Sequence, residues 1–416
     1  MSTTQKREGR RVVVTGMGVT TPIGHSVDET VGALREGRHG IRRMPEWDHM
    51  ADLQCRIGAT VEGLDLTARY HRRVRRTMGR VALLALHASE QAVGQAKLDE
   101  ELLSNGHTGV AYGSTSGSSI ELEKFSTPLV MEKSMRGLES NAYLRIMAHT
   151  CAANMANHFK VRGRVIPTCS ACTSSSQAIG VGYEQIRYGG ADVMLCGGAE
   201  EMHYTTAVTF DLLMATSTHF NDRPDESPRP FDAARDGLVV GEGAATVILE
   251  ELEHAQRRAA PILAEVLGYG NNCDGVHFTN PSPDGMRKVM ELSLADARLS
   301  PDDVDYVNAH GTGTPVGDVA ESRATWDLFR RAIPVSTQKS YVGHTLGACG
   351  AVEAIWTIRM MQGGFIIPNR NLGTVDPECA ELDYVRELRE QLIRVAMTNN
   401  FAFGGINTSL VLGPPP

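Results

Sequence analysis

A cysteine among small polar residues is the first group in this chain that could do chemistry. Pro167-Thr168-Cys169-Ser170-Ala171-Cys172-Thr173-Ser174-Ser175-Ser176 follows the short apolar run Val165-Ile166 and opens a helical pattern that continues to about Tyr188. That pattern predicts a strand, a tight turn with a thiol at its tip, and a helix. A thiol at a helix N-terminus faces free N–H groups and the positive end of the dipole, which favour its thiolate. The small neighbours let a substrate approach closely. On these residues alone Cys172 is either a nucleophile or a buried structural cysteine, because free cysteines are among the most buried residue types. Cys169 and Cys172 also form a C-x-x-C pair. The thioredoxin-like context for redox chemistry is missing, and no second C-x-x-C or histidine pair stands at ligand spacing, so no metal is expected.

Three further polar sites stand at predicted strand ends beside glycines, where ligands of open α/β sheets gather. The first is His310 in Asn308-Ala309-His310-Gly311-Thr312-Gly313-Thr314-Pro315. The second is Lys339 with His344, in Gln338-Lys339-Ser340-Tyr341-Val342-Gly343-His344. The third is Asn399-Asn400-Phe401-Ala402-Phe403-Gly404-Gly405. A lone histidine is more often structural. Two histidines in small-residue loops, together with a thiol that a helix could activate, point to catalysis.

The elements that must position these groups alternate between strand and helix. Arg11 to Val19 predicts a buried strand running into a glycine turn, but Thr21 stands where a G-x-G-x-x-G motif needs its third glycine, so a dinucleotide site is rejected. Val110-Ala111-Tyr112, Ala191 to Cys196, Ala244 to Glu250, Ile262 to Gly268 and Val304 to Asn308 are further strands, and 285–297 and 317–330 are helical. The final segment predicts two strands around the glycine turn at Gly404-Gly405. The Cys172 turn and the His310 loop look like one construction used once in each half, which suggests a duplicated α/β unit with halves at 1–255 and 256–416. Alternating strands and helices imply a mainly parallel sheet covered on both faces.

The bulk properties exclude several classes. The chain has 416 residues, 42% hydrophobic and 22% charged, with a formal net charge of −8. This composition buries a large core and argues against non-specific nucleic-acid binding. No apolar run has the length of a membrane span, and the polar stretch from Met1 to Arg11 does not resemble a signal peptide. A cytoplasmic protein with reduced cysteines is expected. Against the acidic total, Arg72-Arg73-Val74-Arg75-Arg76-Thr77-Met78-Gly79-Arg80 concentrates five arginines in nine residues. Such a run is either a solvated face or a patch for an acidic partner.

Taken together, these motifs resemble the elongating β-ketoacyl-acyl-carrier-protein synthases, of the Cys-His-His type, in the thiolase-fold superfamily. The resemblance runs from Val12-Val13-Val14-Thr15-Gly16-Met17-Gly18 to Asn407. Besides Ser170-Ala171-Cys172 and the His310 loop, it includes Lys339 five residues before His344, Glu353 nine after it, and Ser227-Pro228-Arg229-Pro230-Phe231-Asp232. The resemblance implies two pseudo-duplicated α/β halves in an α-β-α-β-α sandwich. It implies Cys172 as the acyl-accepting nucleophile, and His310 and His344 as donors to the thioester oxygen of a decarboxylating malonyl group. Lys339 would support that histidine pair and Glu353 would hold structure. The oxyanion hole would be formed by the backbone N–H groups of Cys172 and Phe403. Thr312 and Thr314 would bind the pantetheine amides, and Phe401 and Phe403 would form a gate beside Gly404 and Gly405. The partner would be an acyl carrier protein, docked by Arg72, Arg73, Arg75 and Arg76 with Arg136 adding to the patch. No cofactor is implied beyond the carrier's phosphopantetheine, and the usual assembly is a homodimer, with a heterodimer as the alternative.

Rivals lack their signatures. A thiolase needs a second cysteine in the final glycine turn, which here reads Phe401-Ala402-Phe403-Gly404-Gly405. An initiating synthase would use Cys-His-Asn, and a non-catalytic chain-length subunit would lose the nucleophile. Departures from the commoner fatty-acid pattern concern the substrate: Gln177 for histidine, Gly313 in the first histidine loop, Ala402 for glycine in the gate, and a small Ser116 at the expected acyl pocket. Fatty-acid elongation is the first expectation, and a specialised polyene or polyketide pathway is the second.

Overall fold

The opening strand, β1 (Val12–Thr20), is buried along all nine residues, as its valine-rich sequence demands of a strand covered on both faces. The computed structural model describes residues 9–416, so the polar N-terminal reading falls partly, at 1–8, outside the described residues. The first half continues with α1 (Arg80–Ala96), β2 (Thr108–Gly113), α2 (Thr150–His158), β3 (Val165–Thr168), α3 (Ser174–Arg187), β4 (Val193–Glu200) and β5 (Gly243–Glu251). The second half repeats the series. It runs β6 (Ala264–Cys273), α4 (Pro283–Ala297), β7 (Tyr306–Asn308), α5 (Pro315–Phe329), β8 (Pro334–Ser336), α6 (Cys349–Gly363), β9 (Ala396–Ala402) and β10 (Ile406–Gly413).

The topology carries the duplication. One half is ordered β3-β2-β4-β5-β1 and the other β8-β7-β9-β10-β6, so in both the order is third, second, fourth, fifth, first. In both, the first two pairings of that order are parallel and the last two antiparallel. The halves join through a short antiparallel pairing of β1 with β6, Val12 opposite Val266 to Val14 opposite Ala264. The expectation of a mainly parallel sheet is therefore corrected. The glycine turn after Ala402 makes β9 and β10 a hairpin, and hairpins are antiparallel.

Glycines in the first strand of each half explain the rejected dinucleotide motif. A Cβ at Gly18 would lie 2.0 Å from the Ala88 carbonyl oxygen of α1, and one at Gly270 would lie 2.3 Å from the Val289 carbonyl oxygen of α4. The G-x-G pairs Gly16/Gly18 and Gly268/Gly270 thus let a helix backbone lie directly on the strand. Between the halves, α3 and α6 pack against each other and against strands of both. Their contact holds the central core, with Tyr183, Ile355 and Trp356 fully buried. Trp356 donates its Nε1–H to the Thr30 hydroxyl at 3.0 Å, so the ring is buried without an orphaned donor. With α1 and α2 outside one array and α4 and α5 outside the other, the layers run α-β-α-β-α.

The proposed internal correspondence also changes. Cys172 follows the third strand of its half, whereas His310 follows the second strand of its own. The counterpart of the Cys172 turn is the segment after β8. In each case a 3-10 turn, Ala171–Thr173 or Leu346–Ala348, leads directly into a helix. In each case the first residue of the turn has positive φ, +49° at Ala171 and +47° at Leu346. The counterpart of the His310 loop is the loop after β2, which begins at Ser114. Sequence alone paired the two loops by their small residues, and strand order separates them.

Candidate active site

The turn that carries Cys172 is held by its own hydroxyls. Ser174 Oγ accepts from Ser170 N–H at 3.0 Å and donates to the Ala171 carbonyl at 2.7 Å. Thr173 Oγ1 donates to the Ser170 carbonyl at 2.7 Å. These bonds hold Ala171 in a left-handed conformation that costs a non-glycine residue roughly 1–2 kcal/mol. Cys172 itself is 6% exposed. Burial pushes its thiol up to about 12, with the nearby Lys339 ammonium pulling the other way. The expected resting thiolate is therefore corrected: the desolvation of this pocket outweighs the favourable charge beside it.

His310 leaves β7 into a loop clamped from below. Glu321, on α5, accepts from the N–H groups of His310 at 2.7 Å and Gly311 at 2.8 Å. Asp318 accepts from Gly313 N–H at 3.1 Å and from Phe231 N–H at 2.7 Å, with Arg235 beside it. His344 is pinned at its backbone, its N–H donating to the Val239 carbonyl at 2.7 Å and its own carbonyl accepting from Gly241 N–H at 2.9 Å. Its Nδ1 accepts from Leu346 N–H at 3.2 Å. That bond places the ring proton on Nε2, and Nε2 is buried with no partner among the described residues. Burial, then Lys339, holds both imidazoles well below the usual histidine range, so both are neutral donors at neutral pH.

The three groups converge. Cys172 Sγ and ring nitrogens of His310 and His344 lie within 4.8 Å of one another. The two rings meet edge to face, 5.1 Å between centroids. Behind them Lys339 and Glu353 form an ion pair of 2.5 Å, each side chain 2% exposed. Asn400 donates to the other Glu353 oxygen at 2.7 Å. Removing either charge from such a pair leaves the other buried and uncompensated.

A cleft of about 300 Å³ runs from the surface to these groups, and Thr312, Thr314, Phe401, Ala402 and Phe403 line it. The Thr312 and Thr314 hydroxyls are 2.9 Å apart. Phe403 is exposed at the mouth, 5.7 Å from the Phe210 ring. Ser116 does not join them: it is exposed, away from the cleft wall. Of the arginine run, Arg72, Arg73 and Arg76 are exposed and Arg75 is half-buried. Arg80 turns inward to Glu242 at 2.6 Å and belongs to the fold. Arg72, Arg75 and Arg76 line one concave patch, and its fourth arginine is Arg145, not Arg136.

Family models match in two adjoining pieces, "Beta-ketoacyl synthase, N-terminal domain" over residues 9–255 and "Beta-ketoacyl synthase, C-terminal domain" over 263–373. The chain belongs to the β-ketoacyl synthase family. It is 37% identical to 3-oxoacyl-[acyl-carrier-protein] synthase 1 of Haemophilus influenzae, over 97% of this chain and 98% of that protein. Among solved structures, a β-ketoacyl synthase from Burkholderia phymatum matches with a TM-score of 0.95 at 51% identity, covering 98% of this chain and 100% of that one. A ketosynthase solved in complex with the acyl-carrier protein of a type II polyketide synthase matches with a TM-score of 0.89 at 28% identity, covering 98% and 100%.

Several residues of this β-ketoacyl synthase site were passed over in the sequence. Glu321 lies inside a helix whose apolar pattern hides it, and Asn400 stood in a quoted motif without a role. The cleft wall also includes Phe278, from a loop without periodicity, whose carbonyl accepts from Gly404 N–H at 2.7 Å. The buried thiol makes a direct prediction. Alkylation of Cys172 by iodoacetamide should be slow at pH 7 and climb roughly tenfold per pH unit toward pH 11, because only the thiolate reacts. A plateau below pH 8, followed by peptide mass spectrometry, would show a thiolate already present at rest.

Proposed function

We propose that this chain elongates an acyl group held on an acyl carrier protein by decarboxylative Claisen condensation with a malonyl-carrier protein, within fatty-acid elongation. The observation that carries the reading is the convergence of Cys172 Sγ with ring nitrogens of His310 and His344 within 4.8 Å, the buried Nε2–H of His344 having no partner among the described residues. In the first step the Cys172 sulfur attacks the acyl thioester and passes its proton to the departing pantetheine thiol. In the second, the malonyl thioester loses CO₂, and the bonding electrons move onto the thioester oxygen. His310 and His344 donate to that oxygen as neutral imidazoles. The resulting carbanion attacks the acyl-Cys172 carbonyl, the Cys172 and Phe403 N–H groups stabilise the oxyanion, and its collapse expels Cys172 and the 3-oxoacyl product two carbons longer.

Lys339 keeps its charge through Glu353 and adds to the burial that keeps the histidines neutral. Thr312 and Thr314 suit the amides of a pantetheine arm entering the cleft, and Phe401, Ala402 and Phe403 form a gate that runs from the buried Phe401 out to Phe403 at the mouth. The reaction needs no cofactor beyond that arm. The exposed Arg72, Arg73 and Arg76, with Arg75 behind them, suit an acidic carrier protein, while Arg145 in the same patch is paired with Glu121 and Glu139. The eight free cysteines suit a reducing compartment such as the cytoplasm. Among the described residues no helix is long and apolar enough to cross a membrane.

A second copy of the chain is the proposed assembly partner. β3 is the sheet edge, with one neighbour only and Val165 exposed. The helix Ser119–Met131 has no buried residue, and Val130, Met131 and Met135 are exposed. Such an open edge beside apolar side chains is an interface waiting for a strand.

Four outcomes test these readings. With acyl- and malonyl-carrier proteins, the protein should release a 3-oxoacyl product, Cys172→Ala should abolish it, and His344→Ala should slow it about 10²–10³-fold. Product masses across saturated, unsaturated and aromatic acyl chains separate fatty-acid elongation from a specialised pathway. Charge reversal at Arg72, Arg73 and Arg76 should raise KM for carrier-linked substrates at unchanged kcat, and an unchanged KM leaves the run as a solvated face. Sedimentation equilibrium should give twice the chain mass, and a monomer at micromolar concentration would refute the edge assembly.

A further inference from the structure

Glu200 closes β4 on the face turned toward the centre of the molecule, and it is 4% exposed. A buried carboxylate needs donors, and this one draws them from both halves. Its Oε2 accepts from Thr115 N–H at 2.9 Å and from Gly347 N–H at 3.0 Å, while Oε1 accepts from the Ser114 hydroxyl at 3.4 Å. Ser114 and Thr115 belong to the loop after β2. Gly347 belongs to the turn between His344 and α6.

Each donor leads to a reacting group. The Thr115 carbonyl accepts from Cys169 Sγ at 3.3 Å, and the Thr115 hydroxyl donates to the Ala171 carbonyl at 3.5 Å. Both contacts fall within three residues of Cys172. Gly347 adjoins Leu346, whose N–H fixes the ring of His344. The junction has no slack: a Cβ at Gly347 would lie 2.7 Å from Glu200 Oε2 and from Thr115 N. Burial pushes the Glu200 carboxyl up to about 7, with the Thr115 and Gly347 bonds pulling the other way.

We propose that Glu200 is a positioning residue that sets the distance between Cys172 and His344, by gripping the loop beside one and the turn beside the other across the two halves. The proposal rests on the condensing reading above. It touches neither substrate nor sulfur, so its effect is confined to the step in which both groups must act together.

Glu200→Gln can keep an oxygen on the two N–H groups, which share Oε2, and turn its amino group to the Ser114 hydroxyl, but it loses the charge that strengthens both backbone bonds. It should lower kcat for condensation tenfold or more while KM for the malonyl-carrier protein stays within twofold. Acyl transfer to Cys172, read by intact mass, and CO₂ release from malonyl-carrier protein should each stay within threefold of wild type. Glu200→Asp, which keeps the charge and loses the reach, should show the same split and serves if the glutamine variant does not fold by circular dichroism. Condensation within twofold of wild type, or all three rates falling together, would overturn the proposal. A wild-type protein that forms no 3-oxoacyl product would instead overturn the condensing reading, and the proposal with it.

Discussion

The site exists because α3 and α6 touch backbone to backbone. A Cβ at Gly350 would lie 2.6 Å from Ser176 Cβ and 2.7 Å from Ser176 N. The Ala351 N–H donates to the Ser175 hydroxyl at 3.0 Å, and Cys349 Sγ donates to the Cys172 carbonyl at 3.1 Å. Larger residues at this seam would hold the helices a normal 8–10 Å or more apart and move the Cys172 turn away from the His344 turn. The run of Ser174, Ser175 and Ser176, together with Gly347, Ala348, Cys349 and Gly350, is therefore one constraint written twice, once in each half. Its small hydroxyls also satisfy the polar backbone that such close contact buries, as the Ser176 hydroxyl does in donating to the Thr173 carbonyl at 3.1 Å.

Close packing then decides the electrostatics. Burial disfavours the charged forms, so the thiol and both imidazoles rest neutral. The charge kept in reserve is the Lys339 ammonium, and it survives burial because Glu353 is held against it by Asn400. Such a site binds no resting anion tightly at its centre. It offers directed donors to negative charge that forms during reaction, and in a low dielectric those donors count for more than they would in water. The neutral state of the histidines is thus part of the device: a protonated imidazole would grip the malonyl carboxylate that has to leave.

Legibility followed residue type and local spacing. Cys172, His310 and His344 stood out because thiols and imidazoles in glycine-lined loops are uncommon, and the structure brings them together. The alternation of strand and helix was legible, since Val12 to Val14 and Val193 to Cys196 are continuous apolar runs. Strand direction was not, because β-branched runs look alike in parallel and antiparallel sheets. The pairing of the loops also failed, as small residues mark every tight turn and only strand order tells the Cys172 turn from the His310 loop. Charges were ambiguous in the same way. Arg76 and Arg80 are alike in sequence, yet one is exposed and the other pairs with Glu242. Ser116 was placed at the acyl pocket by the family resemblance alone, and the structure leaves it exposed outside the cleft.

That last difference separates what a chain of this kind can reveal from what it withholds. The chemistry depends on a few groups whose types are diagnostic and whose spacing is short. Chain preference depends on the volume of an apolar wall, and one methylene there is worth only about 1–3 kcal/mol. The cleft wall is built from Leu213, Met214 and Phe278, residues on segments with no periodic signature. Met214 and Phe278 are also exposed at the rim, where a flexible thioether and a mobile ring can re-pack around different acyl chains. A wall of this composition selects by fit rather than by hydrogen bonds, so acyl preference is a property of its packed volume and not of any one side chain.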